Sequence, residues 1–279
     1  MQPKKDSIIK IHTHPIKAAL LGQNEPDPTE WMDCFHELPA TSRQRYWVEQ
    51  WAHNLQAGQS LQLSPSEQEI FYFWQGLSPQ TYAQLGQTQS MTLDLPKNYP
   101  IDPFWQYWGR DGHHTTERIE DEHALSVLEA EHTICFRVQR KNQSLTIHWQ
   151  GPFGYQVHQQ MVRLLNLSFQ APNWPADLIL SQSQDAAEAT RPFLTRTVWE
   201  AILWVILGQQ INLSFAYQMR SNLYRNLGQP VGHDLYAAPH PKSLLETPLE
   251  TFRSWQISRQ KASTLLAVAA VWPELAQLS

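Results

Sequence analysis

The segment Thr197 to Gly208, "TVWEAILWVILG", constrains the chain more than any other stretch. Its apolar side chains occupy almost every angular position of a helix, so the sequence predicts a helix buried by neighbours on every side and stopping at Gly208. A buried helix needs partners, and they follow directly. After the polar turn Gln209-Gln210-Ile211-Asn212, a second helix carries Phe215, Met219, Leu223 and Leu227 at four-residue steps, one face inward, and Gly228 closes it. Thr247-Pro248-Leu249-Glu250 has the form of a capping box with proline at the first helical position, opening a short helix. Ser258 caps "RQKASTLLAVAAVW", which Pro273 is expected to end. The last third of the chain thus reads as four helices joined by short turns.

Upstream, residues 28–90 read as helical. Ser42 precedes "RQRYWVEQWAHNLQ", ending at Gly58; Ser64-Pro65 opens a helix with Glu67 in capping-box position and Gly76 at its end; Ser78-Pro79 opens a third, ending near Gly86. Its aromatics, Trp31, Trp47, Trp51, Phe71, Tyr72, Phe73 and Trp74, suit a core better than a ligand platform. At "LDLPKNYPIDP" the prolines Pro96, Pro100 and Pro103 argue against a continuous helix and mark a new unit. Beyond it "ALSVLEA", "TICFRVQRK" and "SLTIHWQG" alternate like antiparallel strands, with a turn at Lys141-Asn142-Gln143. Val157, Met161, Leu164 and Leu165 then form one helical stripe able to cover that sheet. Leu180 to Ala189 reads as a polar connection. The expected fold class is α+β: a helical amino-terminal region over 1–95, a small antiparallel-sheet domain with a covering helix over 96–180, and an all-α domain over 181–279.

"VWEAILWVILGQQINLSFAYQMRSNLYRNLG", followed by "SLLETPLETFRSWQISRQKASTLLAVAA", resembles the bacterial 3-methyladenine DNA glycosylase II family of the helix-hairpin-helix glycosylase superfamily. The shared order is a Trp-Glu-Ala helix, a Gly-Gln-Gln turn, a Pro-containing helix start and a Ser-Arg-x-Lys-Ala helix, here Ser258, Arg259, Lys261 and Ala262. More loosely, "PIDPFWQYWGRDGHHTTERIEDEHALSVLEAEHTICFRVQR" is similar to the family's sheet domain, and the two stretches cover roughly 95–272. The resemblance implies base-excision repair of double-stranded DNA carrying a damaged, alkylated base, which such enzymes flip out of the stack to reach the glycosidic bond. It implies Gln210, beside Gln209, as the side chain that fills the vacated space; the alternative is that both glutamines only cap a buried helix. It implies Ser258, Arg259 and Lys261 as phosphate contacts, against a plain solvated helix face, and Tyr107 and Trp108 as the base pocket, against core packing.

The family's glycine-rich hairpin and catalytic aspartate have no counterpart, since no glycine follows Gly232 and no aspartate follows Asp234. Without a carboxylate to stabilise the oxocarbenium-like sugar, the expectation is an incomplete or inactive glycosylase with no catalytic residue, the alternative being a non-catalytic damaged-DNA-binding or protein-interaction module whose amino-terminal region meets a protein partner.

Charge points the same way. Arg191 to Ser279 hold eight Lys or Arg against five Asp or Glu, +3, and the other 190 residues hold 13 against 21, −8, so a phosphate-facing surface is expected in the last third. Cys34 and Cys135 lack any paired metal or disulfide spacing, and His12, His14, His113 and His114 lack supporting ligands, so no metal and no cofactor are expected. The longest apolar run, Ala201 to Leu207, is far short of the ~20 residues of a membrane span, and the first residues lack an unbroken signal-like core. A cytoplasmic setting is the expectation.

Overall fold

The computed structural model describes residues 40–129, 133–167, 169 and 191–276. Trp31, Cys34, His12, His14 and the polar connection at 180–189 lie outside them. The chain divides into two compact units, Met1–Trp51 and Ala52–Ser279, and helix α1, Ala40–Gln56, spans the division. The second unit carries the sheet and the helix bundle.

Two short helices open it. In α2, Pro65–Gln75, the expected capping box is complete: the Ser64 amide donates to Glu67 Oε2 at 2.7 Å and the Glu67 amide to Ser64 Oγ at 3.4 Å. Gly76 ends it in the left-handed region, φ 65°, as a helix-closing glycine does. In α3, Pro79–Ala83, Ser78 plays the same capping part.

A five-stranded antiparallel sheet follows, with β1 Ser90–Asp94, β2 Glu117–Glu120, β3 His123–Leu128, β4 Ile134–Lys141 and β5 Ser144–His148 in the order β1-β5-β4-β3-β2. The three central strands are the alternating segments of the sequence. The edge strands β1 and β2 are additions, and β1 lies within the stretch expected to be helical, so the sheet starts before residue 96. Edge strands this short carry too few inward residues to announce themselves; Met91 and Leu93 are the two on β1. The prolines at 96, 100 and 103 do not forbid a helix either. Helix α4, Ile101–Trp108, starts between them and keeps Pro103 in its first turn, where no hydrogen bond is lost.

Helix α5, Gly154–Leu165, buries the predicted stripe Val157, Met161, Leu164 and Leu165 and packs on β3. Glycine is required at its start, because a Cβ on Gly154 would stand 2.0 Å from the Leu85 carbonyl oxygen.

The bundle consists of α6 Val198–Gly208, α7 Leu213–Leu227, α8 Pro241–Leu245, a 3-10 turn Leu249–Trp255 and α9 Arg259–Ala276, with a small hairpin, β6 Pro230–Gly232 and β7 Leu235–Tyr236, between α7 and α8. Its core joins Trp199, Leu203, Leu207, Met219, Leu223, Phe252, Leu265 and Ala269. Four details correct the sequence reading. Helix α6 is not buried all round, since Val205 is 58% exposed. Helix α8 was not anticipated. The Thr247 hydroxyl donates back to the Ser243 carbonyl at 2.7 Å, so no capping box forms and a 3-10 turn follows Pro248. Helix α9 continues through Pro273 to Ala276. Among the described residues no helix is long and apolar enough to cross a membrane.

Candidate functional site

The candidate site centres on the turn between α6 and α7. Gln209 leaves the helix in extended geometry, and Gln210 adopts φ 56°, a left-handed conformation that costs a side-chain-bearing residue energy. Both glutamines are exposed. Asn212 then caps α7, accepting the Phe215 amide at 2.8 Å, while Ser258 accepts the Lys261 amide at 3.3 Å at the start of α9. Two helix amino termini therefore border one cleft of about 270 Å³, whose lining includes Gln209, Gln210, Phe215, Gln256, Ser258 and Lys261. Helix amino termini present unpaired amides and the positive end of the helix dipole, a combination suited to anions. Phe215 is 39% exposed at the rim and Leu213 59%, so apolar side chains flank the polar turn. Gln256, with φ 66°, completes the lining; its role was not legible because nothing local marks a left-handed glutamine.

Lys261 lies under this turn. Its Nζ donates to the carbonyls of Ile206 at 3.2 Å, Leu207 at 2.5 Å and Gln209 at 2.8 Å, closing the carboxyl end of α6. Those carbonyls have no partner within the helix and carry its negative dipole end, so an ammonium there is doubly favourable. Its effect on any ligand is thus through the turn it fixes. Replacing it (Lys261→Met) is expected to cost about 1–2 kcal/mol, read as a lower urea midpoint at unchanged slope; an unchanged midpoint would show that the three contacts contribute nothing net. Arg259, two residues before it, is exposed.

Tyr107 and Trp108 are arranged differently. Trp108 is buried, with ring contacts to Phe104 at 5.4 Å and Trp105 at 5.6 Å. Tyr107 is half-buried beneath the Arg110 guanidinium, 3.6 Å from its ring centre. The space beside them measures about 20 Å³, which is room for roughly one water and not for a base. They do not form an open base pocket in this structure.

A buried cluster of charge, unforeseen in the sequence, joins sheet to bundle. Arg196 donates to Glu200 and, at 2.8 Å, to Glu117; Arg220 donates to Asp111 at 3.0 Å, Glu200 at 2.8 Å and Thr116 Oγ1 at 2.6 Å. Glu129 lies 3.8 Å from Arg196 Nε and accepts the Ala238 amide at 2.9 Å. Burial opposes the charge of both guanidiniums, yet the surrounding carboxylates outweigh it and raise their pKa values. Burial also opposes the Glu200 carboxylate, but Arg196 and Arg220 hold its pKa below the usual range. Glu129 is pushed up by burial, more than Arg196 offsets. One local trace of this cluster is the four-residue spacing of Arg196 and Glu200.

The charge reading of the last third changes accordingly. Arg196 and Arg220 are interior, Arg225 is paired with Asp234 at 2.7 Å, and Lys242 with Glu246 at 3.7 Å. The +3 excess is therefore largely internal rather than a cationic face. Among the described residues no group of His, Cys, Asp or Glu has the arrangement of a metal site, and His113 donates its amide to Asp111 at 2.9 Å.

No protein-family model matches the chain, and no curated protein matches it by sequence. Solved structures do. A 3-methyladenine DNA-glycosylase from Archaeoglobus fulgidus superposes with a TM-score of 0.54 at 16% identity, over 64% of this chain and 66% of that one. MBOgg1 in complex with a low affinity DNA ligand gives 0.51 at 13%, over 67% and 64%. The Clostridium acetobutylicum 8-oxoguanine glycosylase/lyase in complex with double-stranded DNA gives 0.50 at 13%, over 66% and 63%. The chain spans just under two thirds of the length of each. At these identities the likeness is one of fold: the α+β architecture described above is glycosylase-like.

Proposed function

We propose that this chain is a base-excision-repair protein that engages double-stranded DNA at a damaged base through the α6–α7 turn. The observation that carries this reading is the placement of Gln210. It stands exposed, in a strained left-handed conformation, at a turn bordered by two helix amino termini, on a scaffold whose fold is that of DNA glycosylases. Strain held in place by surrounding structure is a feature of functional turns. The amide of Gln210 suits the space left by an extruded base, where it can hydrogen-bond the orphaned partner, and Leu213 and Phe215 offer apolar contact to the opened stack. Ser258 and Arg259 meet the phosphates on one side. An alkylated base such as 3-methyladenine is the proposed lesion.

The proposed role is recognition without base release. Among the described residues the cleft lining contains no carboxylate, and Asp111, Glu117 and Glu200 are more than nine-tenths buried and bound to guanidiniums. None is free to stabilise a sugar cation.

Two variants test the turn. Gln210→Ala removes the amide, and Gln210→Gly removes it while easing the positive φ. Both are expected to weaken binding to a duplex containing 3-methyladenine by roughly 5- to 20-fold, and to an intact duplex far less, by fluorescence anisotropy at fixed salt. Equal losses on both duplexes would remove the damage-recognition role, and release of free 3-methyladenine by the unmodified protein would remove the non-catalytic one.

A further inference from the structure

The outer face of the sheet carries a second feature, away from the α6–α7 turn in sequence. Strand register aligns Ser90 with His148, His148 with Arg137, Arg137 with Leu125, and Leu125 with Arg118. Directly opposed residues of an antiparallel sheet share a face, so one row crosses all five strands and bears two guanidiniums and an imidazole. The β6–β7 hairpin folds over the apolar end of this face, where Leu235, Ala237 and Val231 meet Val127, Leu125 and Cys135. Between hairpin and sheet runs a groove of about 870 Å³, walled by Arg137, His148 and His233 with Gln89, Ser90 and Gln150. Among the described residues no aspartate or glutamate lines it. Asp234, next to His233 on the hairpin, is held by Arg225 through hydrogen bonds of 2.7 and 3.0 Å.

This composition is unusual for the molecule. The chain as a whole is acidic, −5, and several of its cations are tied up: Arg140 with Asp102, Arg225 with Asp234, Lys242 with Glu246, Arg196 and Arg220 in the interior. Arg137 is exposed and enters no ion pair among the described residues. A groove whose described lining offers cationic, amide and hydroxyl groups complements a polyanion. Arginine, glutamine and serine are the residue types that hold phosphate oxygens without reading sequence.

We infer that this groove binds the phosphodiester backbone of DNA, as a second contact beside the α6–α7 turn. The inference rests on the DNA-binding reading above, and supplies what the bundle lacks. With the charge of the last third turned inward, affinity for the duplex backbone needs cations from elsewhere, and the sheet face offers them on rigid strands. The contact is independent of sequence and of damage, and it adds affinity rather than selectivity.

The experiment compares Arg137→Glu, Gln210→Gly and the unaltered chain by anisotropy with a labelled 3-methyladenine duplex and its intact counterpart, across a salt series. Thr146→Ala, on β5 outside the groove, is the surface control, and thermal melts followed by circular dichroism check folding. Arg137→Glu is expected to weaken both duplexes equally, by roughly tenfold at low salt, and to lower the slope of log affinity against log salt by about 1, the mark of a lost phosphate contact. Unaltered binding by a folded Arg137→Glu protein, with Gln210→Gly still weakened, overturns the groove and leaves the turn. The reverse result upholds the groove and overturns the turn. An unaltered chain that binds neither duplex at low salt overturns both. Displacement of DNA by poly-glutamate at equal charge concentration would assign the groove to acidic chains in general and overturn its assignment to DNA.

Discussion

Replacing Arg220 with methionine is expected to destabilise the protein by roughly 3–5 kcal/mol, the range for removing one partner from a buried ionic cluster. Arg220 is 4% exposed and donates to Asp111, Glu200 and Thr116. Methionine fills similar volume, so little of the loss is a cavity. What remains is a desolvated Asp111 without its cation, together with Glu117 and Glu200 sharing Arg196 alone. Uncompensated negative charge in the interior, rather than a missing attraction, is the source of the cost. The remedy follows from the same physics: Arg220→Met combined with Asp111→Asn should recover a substantial part of the loss, although Asp111→Asn alone destabilises. Urea unfolding of the four proteins at pH 7 gives the cycle. If the two substitutions simply add, the carboxylate is not what Arg220 neutralises and the electrostatic account fails. Because the cluster draws Asp111 and Glu117 from the sheet side and Glu200 and Arg220 from the bundle, its loss should also separate their unfolding transitions.

That cluster marks the limit of what the sequence discloses. Elements governed by their own few residues were legible: the Ser64–Glu67 box, the stripe on α5, the alternation of β3 to β5 and the helical α6 and α7 all follow from contacts within a turn or two. Residues whose partners are distant were not. Arg220 and Asp111 are 109 positions apart, so nothing in either neighbourhood marks them as partners, and the charge excess of the last third reads as a phosphate-facing surface when much of it is internal. Position on α7 held one hint, since Arg220 follows the inward Met219 and precedes the inward Leu223. The turn at Gln209 and Gln210 was visible as polar residues between apolar helices, but the left-handed φ of Gln210, the three carbonyls gathered by Lys261 and the closing of space beside Tyr107 are products of packing. Helix α9 shows the same limit at Pro273: a proline forfeits one hydrogen bond near an exposed end, and the rest of the helix, anchored by Ala262, Leu265 and Ala269, tolerates it.

Acid is expected to weaken the fold through one histidine. His158, on α5, is fully buried, with Nε2 2.8 Å from the Gln75 carbonyl oxygen. A carbonyl only accepts, so Nε2 carries the proton and the ring is neutral. Nδ1 has no hydrogen-bond partner among the described residues, and the Tyr82 ring stands edge-on at 5.1 Å. A second proton on Nδ1 would place a cation in an apolar, aromatic setting, and burial accordingly lowers the pKa from 6.5 to about 4, a shift that the Gln75 hydrogen bond only partly opposes. The sign is fixed by which state binds the proton first. Unfolded chains protonate this imidazole near 6.5 and the folded protein only near 4, so the stabilisation is complete above 6.5, declines as pH falls from 6.5 toward 4, and is gone below that. Across that interval, at roughly 1.4 kcal/mol per pH unit, the loss amounts to about 3 kcal/mol. His158→Gln keeps an N–H for Gln75 and cannot be protonated. The variant should be somewhat less stable at pH 7, through imperfect packing, and should lose less stability between pH 6.5 and 4.5, since every other titrating group is common to both proteins and cancels in the difference. Urea midpoints at half-unit pH intervals supply the two curves. Parallel curves would mean that His158 is protonated without penalty, through water reaching Nδ1 or a partner that forms only in acid, and the buried neutral ring would have to be abandoned.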